Sequence, residues 1–161
     1  NPAPLKPIPL TVLKNIDIII PNEGELLRLH HLLKLPELKD EGQEKIIKAS
    51  KAIANEGINI IITTLGQKGS LVYNAEKDIS YRVPAFNVMA IDTVGAGDCF
   101  NGVLASKLAQ GYALKKSIKY ATAAASIAVT RKGAQASMPY SEEIEKRMYE
   151  LQKTIERDGN E

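Results

Sequence analysis

The segment Asp92-Thr93-Val94-Gly95-Ala96-Gly97-Asp98-Cys99-Phe100-Asn101-Gly102 holds the densest chemistry of the chain. Gly-Ala-Gly directly before an apolar-periodic stretch lets several backbone N–H groups point at one spot. The positive end of the helix that follows adds to them, and together they suit an anion such as phosphate. Asp98 falls in the predicted first turn, where a negative side chain is favoured by the helix dipole. A carboxylate in that place can accept a hydroxyl proton late in a phosphoryl transfer, as the oxygen bonds to phosphorus. The same residues also read as a plain turn and a helix cap, and a lone Gly-x-Gly does not choose between the two. Two rival phosphate motifs are absent: no G-x-x-x-x-G-K-[ST] and no G-x-G-x-x-G after a strand. P-loop and dinucleotide chemistry are therefore excluded.

A second glycine-rich segment, Thr64-Leu65-Gly66-Gln67-Lys68-Gly69, follows a β-branched run. It reads as a strand-to-hairpin turn that needs glycine for positive φ. Lys68 at its tip is either a phosphate contact or a solvated lysine. Asn22-Glu23-Gly24-Glu25 has the spacing of a capping box at a helix start. His30-His31 lacks a partner at metal-ligand spacing and reads as a surface or partly packed pair. Cys99 has no neighbour that would activate a thiolate and reads as packing.

The elements that must position these residues alternate between strands and helices. Residues 16–20 (IDIII) and 58–63 (INIIIT) are buried-strand patterns, the first stopped by Pro21-Asn22. A helix opens at Asn22 and runs into Leu26 to Leu33. Another covers 41–56, with Ile46, Ala49 and Ile53 on one face and Gly57 as its stop. Strands near 70–74 and 79–83, joined by Ala75-Glu76-Lys77-Asp78, form a hairpin ended by Pro84. A helix from about 97 carries Phe100, Val103, Leu104 and Leu108 on one stripe, and an Ala-rich helix covers about 114–130. The last helix, about 142–157, is predicted to start behind an N-cap at Ser141 and to bury Ile144, Met148, Leu151 and Ile155. Its charged residues read as a solvated face. The pattern predicts an α/β sandwich with a mainly parallel sheet plus a β-hairpin. Ligands in such sheets sit beyond the C-terminal strand ends, where both glycine-rich segments fall.

Composition narrows the class. Hydrophobic residues at 44% and charged residues at 25% exclude a disordered chain. A net charge of +2, with Lys and Arg dispersed, gives no footprint for nucleic acid. The single cysteine permits no internal disulfide, and the apolar runs are too short to span a bilayer, so a cytoplasmic protein without membrane partners is expected. The opening Asn1-Pro2-Ala3-Pro4 has no methionine and no signal core, and is expected to lie inside a longer protein.

The stretch Asp92 to Phe100 resembles the C-terminal signature of the ribokinase-like (PfkB) carbohydrate kinases. Asn1-Pro2-Ala3-Pro4 and Ala128-Val129-Thr130-Arg131-Lys132-Gly133-Ala134-Gln135 resemble that family's ribose kinases, and the similarity runs to about Pro139. It implies a ribokinase-like three-layer α/β/α sandwich, of which residues 1–161 would be the C-terminal part. It implies ATP-dependent phosphorylation of a sugar's primary hydroxyl, ribose first. Asp98 would be the base, and the N–H groups of Gly95, Ala96 and Gly97 the anion hole. Thr64, Leu65, Gly66, Gln67, Lys68 and Gly69 would lie against the nucleotide, with Thr122 beside adenine. Asn22 and Glu25 would organise magnesium through water. Asp92, Val94, Ala128, Arg131, Gly133 and Ser137 would hold potassium, several through backbone carbonyls. The family's N-terminal sugar-binding half and its lid, which implies a homodimer, have no counterpart in these residues. The chain alone is therefore expected to be poorly active. Fructokinase or deoxyribokinase activity, or a noncatalytic nucleotide-binding module, remain alternatives.

Overall fold

In the computed structural model, residues 1–158 are described, with side chains through residue 150. The chain divides between Pro84 and Ala85 into two compact units.

The first unit is built on strands. It opens with a short helix, α1 (Leu10–Leu13), which starts directly after Pro9 and buries Leu13. This turn was not expected, because four residues are too few to show a helical period. Strand β1 (Ile18–Ile19) is shorter than the IDIII run, with Ile18 paired to Ile60 and Ile19 to Ile61. Helix α2 (Glu23–Leu32) and helix α3 (Gly42–Ala54) follow. Gly57 ends the α3 corner at φ 113°, and a Cβ there would lie 3.3 Å from the Lys14 Cα. Strand β2 (Ile60–Thr64), a 3₁₀ turn at Gly66–Lys68, β3 (Ser70–Asn74) and β4 (Ile79–Val83) complete the unit.

Among the described residues these strands form a four-stranded sheet in the order β1-β2-β3-β4. The pair β1–β2 is parallel, whereas β2–β3 and β3–β4 are antiparallel. The α/β class stands, but the expected mainly parallel sheet is corrected to a mixed one. The cause is the glycine-rich turn at Gly66–Lys68, which sends the chain straight back beside β2 instead of into a crossover helix. Ile19, Ile61, Leu71 and Tyr73 share a core with Leu26 and Leu29 of α2 and Ile46, Ala49 and Ile53 of α3. Full burial of such side chains contributes about 1.5–3 kcal/mol each. Ile62 and Val72, whose side chains emerge from the opposite sheet face, are also fully buried.

The second unit is helical: α4 (Ala96–Ala109), α5 (Leu114–Ala128) and α6 (Ser141–Asp158). Helix α5 packs on both α4 and α6. Its buried Ala123, Ala124 and Ala128 meet Cys99 of α4 and Ile144 and Met148 of α6 in one core. Leu151 and Ile155, also expected there, lie outside the described side chains. Helix α6 begins at Ser141 itself rather than behind it, and the Glu143 carboxylate accepts the Tyr140 N–H at 2.9 Å in place of a serine cap.

The reading of the α6 charges as a purely solvated face is corrected as well. Lys107 of α4 is buried, with its ammonium 4.3 Å from the Tyr120 ring centroid and 3.2 Å from Glu145. Tyr120 donates its hydroxyl to the same glutamate at 2.9 Å. A buried cation needs such partners, and Glu145 supplies the opposite charge.

Candidate functional site

The two units carry separate parts of the predicted site. In the first, parallel pairing sets the ends of β1 and β2 side by side. Asn22 bridges Thr64, and the Thr64 N–H donates to the Pro21 carbonyl at 3.0 Å. The helix start is a full capping box: Asn22 Oδ1 accepts the Glu25 N–H at 2.9 Å, and Glu25 Oε2 accepts the Asn22 N–H at 2.8 Å. The other carboxylate oxygen of Glu25 makes no hydrogen bond among the described residues.

The neighbouring turn is closed by its own backbone. Leu65 N–H donates to Gly69 at 2.8 Å, Gly69 N–H to Gly66 at 2.9 Å and Lys68 N–H to Leu65 at 3.1 Å. Gly66 and Gly69 adopt φ 57° and 83°, so glycine is required for conformation here. Gln67 and Lys68 are exposed at the tip, and Arg82 of β4 donates to the Lys68 carbonyl at 2.7 Å.

In the second unit, α4 begins with Gly95 in the left-handed region at φ 79°, without a side-chain cap. Ala96 N–H turns back to the Thr93 carbonyl at 3.3 Å, and Cys99 N–H makes the first helical bond, to Gly95 at 2.9 Å. The N–H groups of Gly97 and Asp98 meet no acceptor outside the helix among the described residues. Gly97 has open space where a Cβ would stand. Asp98 is exposed, and its carboxylate makes no hydrogen bond or ion pair among the described residues. A helix of 14 residues thus presents uncapped N–H groups beside an unengaged carboxylate.

A second loop, residues 129–137, is tied to this one. Val129 O accepts the N–H groups of Ile91 at 2.7 Å and Asp92 at 3.1 Å. Asp92 clasps both loops, accepting the Val94 N–H at 3.0 Å and the Gly133 N–H at 2.9 Å. Those two backbone donors hold its carboxyl below the usual aspartate range. A Cβ on Gly95 would sit 3.1 Å from the Ala134 Cα, so the loops approach as closely as glycine allows. Ser137 is fully buried and donates to the Ala134 carbonyl at 2.8 Å. The Ala128 carbonyl accepts the Arg131 N–H at 3.0 Å. The carbonyls of Val94, Arg131 and Gly133 take no backbone N–H among the described residues. Neutral oxygens of this kind, with one carboxylate nearby, suit a weakly hydrated monovalent cation.

Thr122, Cys99 and the His30-His31 pair lie outside these loops. Thr122 is buried and returns its hydroxyl to the Ile118 carbonyl at 2.8 Å within α5. Cys99 is buried in the helical core, and burial pushes its thiol up, away from reactivity. His31 is exposed while His30 is buried with Nε2 unpartnered, and burial holds His30 below its ordinary value. Among the described residues no cluster of three or more His, Cys, Asp or Glu stands ready for a metal, and no helix is long and apolar enough to cross a membrane.

Sequence reading missed Glu143. Its carboxylate takes both terminal nitrogens of Arg131, one of them in a very close contact, and the Tyr140 N–H as well. Arg131 first, then the Tyr140 N–H, hold the Glu143 carboxyl below its usual range. The signal available was a glutamate in the first turn of α6, which reads as helix charge before it reads as a partner for Arg131.

Residues 1–140 match the family model described as pfkB family carbohydrate kinase. The chain belongs to that family. Among curated PfkB relatives, the ribokinase of Haemophilus influenzae is 39% identical over 143 residues, covering 89% of this chain and 44% of its own length. The deoxyribokinase of Salmonella typhi is 35% identical over 145 residues, covering 89% and 45%. Among solved PfkB structures, Arabidopsis thaliana ribokinase complexed with ribose and ATP superposes with a TM-score of 0.79 at 32% identity, covering 88% of this chain and 44% of that one. The chain thus spans less than half the length of the curated relatives it matches.

Proposed function

We propose that this chain is the nucleotide-binding and phosphoryl-transfer part of an ATP-dependent sugar kinase that phosphorylates D-ribose at its primary 5-hydroxyl. The observation that carries the reading is the start of α4, where uncapped N–H groups stand beside the unengaged carboxylate of Asp98. The family supplies the reaction class, and the relatives named ribokinase, one of them solved with ribose and ATP, support the sugar. The deoxyribokinase relative makes 2-deoxyribose the competing substrate, with fructose behind it.

In the reaction, the Asp98 carboxylate accepts the proton of the sugar hydroxyl as that oxygen bonds to the γ-phosphorus. The bond from phosphorus to the β,γ-bridging oxygen breaks, and ADP leaves. The N–H groups at Gly95 to Asp98 stabilise charge on the transferring phosphoryl oxygens without reorganising. Because Ala96 N–H is already turned towards Thr93, the larger share falls to Gly97 and Asp98. The turn Thr64 to Gly69 and Thr122 lie against the nucleotide. Asn22 and Glu25 would hold magnesium through water, a role for which the spare Glu25 oxygen is suited, and the ion would neutralise phosphate charge. Potassium, when bound, would be held by oxygens of Asp92, Val94, Ala128, Arg131, Gly133 and Ser137, and its charge would brace the loop tied to the α4 start. Similar Escherichia coli structures, one holding ATP with Mg2+ and another holding potassium, support both ions. The reading places the protein in the cytoplasm, and the whole enzyme as a homodimer through its lid.

The test is sugar-dependent ADP release by the whole enzyme that contains this segment, assayed across ribose, 2-deoxyribose and fructose, with Asp98→Asn beside the wild type. Loss of turnover with nucleotide binding kept is expected. A variant that turns sugar over as fast as the wild type would remove Asp98 as the base, whereas nucleotide binding with no sugar-dependent turnover in either form would leave a noncatalytic nucleotide-binding module.

A further inference from the structure

Arg131 poses an electrostatic problem for a cation seat. It is one of the loop residues whose carbonyl is open, yet it brings a permanent positive charge to the same loop. The structure answers with Glu143. The guanidinium is drawn to the first turn of α6, where Glu143 receives both of its terminal nitrogens. The same carboxylate accepts the Tyr140 N–H at 2.9 Å, so it is anchored to the helix start and cannot swing away without leaving that donor open. The side chains are about one-third exposed, at 36% for Arg131 and 37% for Glu143, so the pair is partly sheltered from screening.

The loop 129–137 is therefore held at two places by two carboxylates. Asp92 holds Gly133 N–H and Val94 N–H on one side. Glu143 holds the Arg131 side chain on the other. The same segment carries the Arg131 and Gly133 carbonyls, which accept no backbone N–H among the described residues. Asp92 attracts a cation directly, whereas Glu143 acts by cancelling a charge that would repel one.

Resting on the reading of this loop as a potassium site, we propose that Glu143 is a positioning residue of that site. It neutralises and fixes the Arg131 guanidinium so that the loop can take a monovalent cation through its carbonyls. Glu143 touches neither nucleotide nor sugar in this account.

The experiment is calorimetric titration of the chain with MgADP at stepped potassium concentrations, sodium making up the ionic strength. Three forms are compared: wild type, Glu143→Gln and the neutral pair Arg131→Met with Glu143→Gln, with circular dichroism confirming that each is folded. In the wild type, potassium tightens nucleotide binding. Glu143→Gln keeps hydrogen-bond acceptance but loses the charge, and should need about fivefold more potassium for half of that effect, the size expected of a partly exposed ion pair. The neutral pair should return to within about twofold of the wild type, because no uncompensated charge is left. A Glu143→Gln titration that overlays the wild type overturns the proposal. If the neutral pair stays as impaired as the single variant, Glu143 only braces the loop and its electrostatic role is overturned. A wild type that binds MgADP equally in both salts overturns the potassium reading itself, and this inference with it.

Discussion

The two glycine-rich loops of this chain use the same residue for different ends. In Thr64 to Gly69, glycines at positive φ let the backbone fold back, and the N–H groups of Leu65, Lys68 and Gly69 are consumed inside the turn. In Thr93 to Asp98, Gly95 at φ 79° starts a helix with no side-chain cap, and the N–H groups of Gly97 and Asp98 stay open. The first loop is a finished corner whose main product is an antiparallel sheet. The second is unfinished in the sense that matters for function, since its donors need a ligand. Glycine content alone does not separate them. What separates them is where the backbone hydrogen bonds go.

The largest effect that would sharpen this contrast is at Asp98. Asp98→Asn should lower sugar-dependent ADP release at least about a hundredfold, as expected for loss of a general base. Lys68→Ala, at the tip of the finished corner, should change turnover no more than about threefold, the cost of one exposed charge contact. Equal losses at the two positions would break the comparison.

Stability should divide the glycines in the same way. Gly95→Ala forces a left-handed residue and sets its Cβ 3.1 Å from the Ala134 Cα, so urea denaturation should show a loss of about 2–3 kcal/mol. Gly66→Ala meets a similar φ but open space, and should cost only about 1 kcal/mol. Removing the α2 cap by Asn22→Ala should cost about 1 kcal/mol in the same assay.

The smallest effect concerns pH. The Val94 and Gly133 N–H groups depress the Asp92 carboxyl in the folded state. Its contribution to stability is therefore fully present at neutral pH, above the unfolded value, and is lost as pH falls through the folded value below the usual aspartate range. Asp92→Asn should flatten that part of the acid limb in a stability–pH series. An unchanged limb would mean that the clasp between the two loops adds nothing to the fold.

Much of this could be read before any coordinates. The start of α4 was legible as an anion seat only through the longer Asp92 to Phe100 signature, since Gly-Ala-Gly by itself reads equally as a turn and cap, and α3 was legible because Ile46, Ala49 and Ile53 keep a helical period. The strand pairing was not legible. INIIIT before a glycine-rich turn is compatible with a crossover or a return, and the outcome depends on three backbone bonds between Leu65 and Gly69. Lys107 and Glu143 were illegible for a related reason. Each looks solvated when seen within its own helix, and the partner that changes its role, Glu145 or Arg131, is distant in sequence. Asn22 with Glu25 was legible twice over, as capping box and as family motif, and the box is formed.

The central claim is that the open start of α4 and the loop clasped to it by Asp92 make a phosphate and cation seat. Its most direct test is calorimetric titration of the folded chain with MgADP, in potassium and then in sodium. Saturable binding that weakens when sodium replaces potassium is the result this account predicts. A chain with a folded circular-dichroism spectrum that takes up no MgADP in either salt would contradict it.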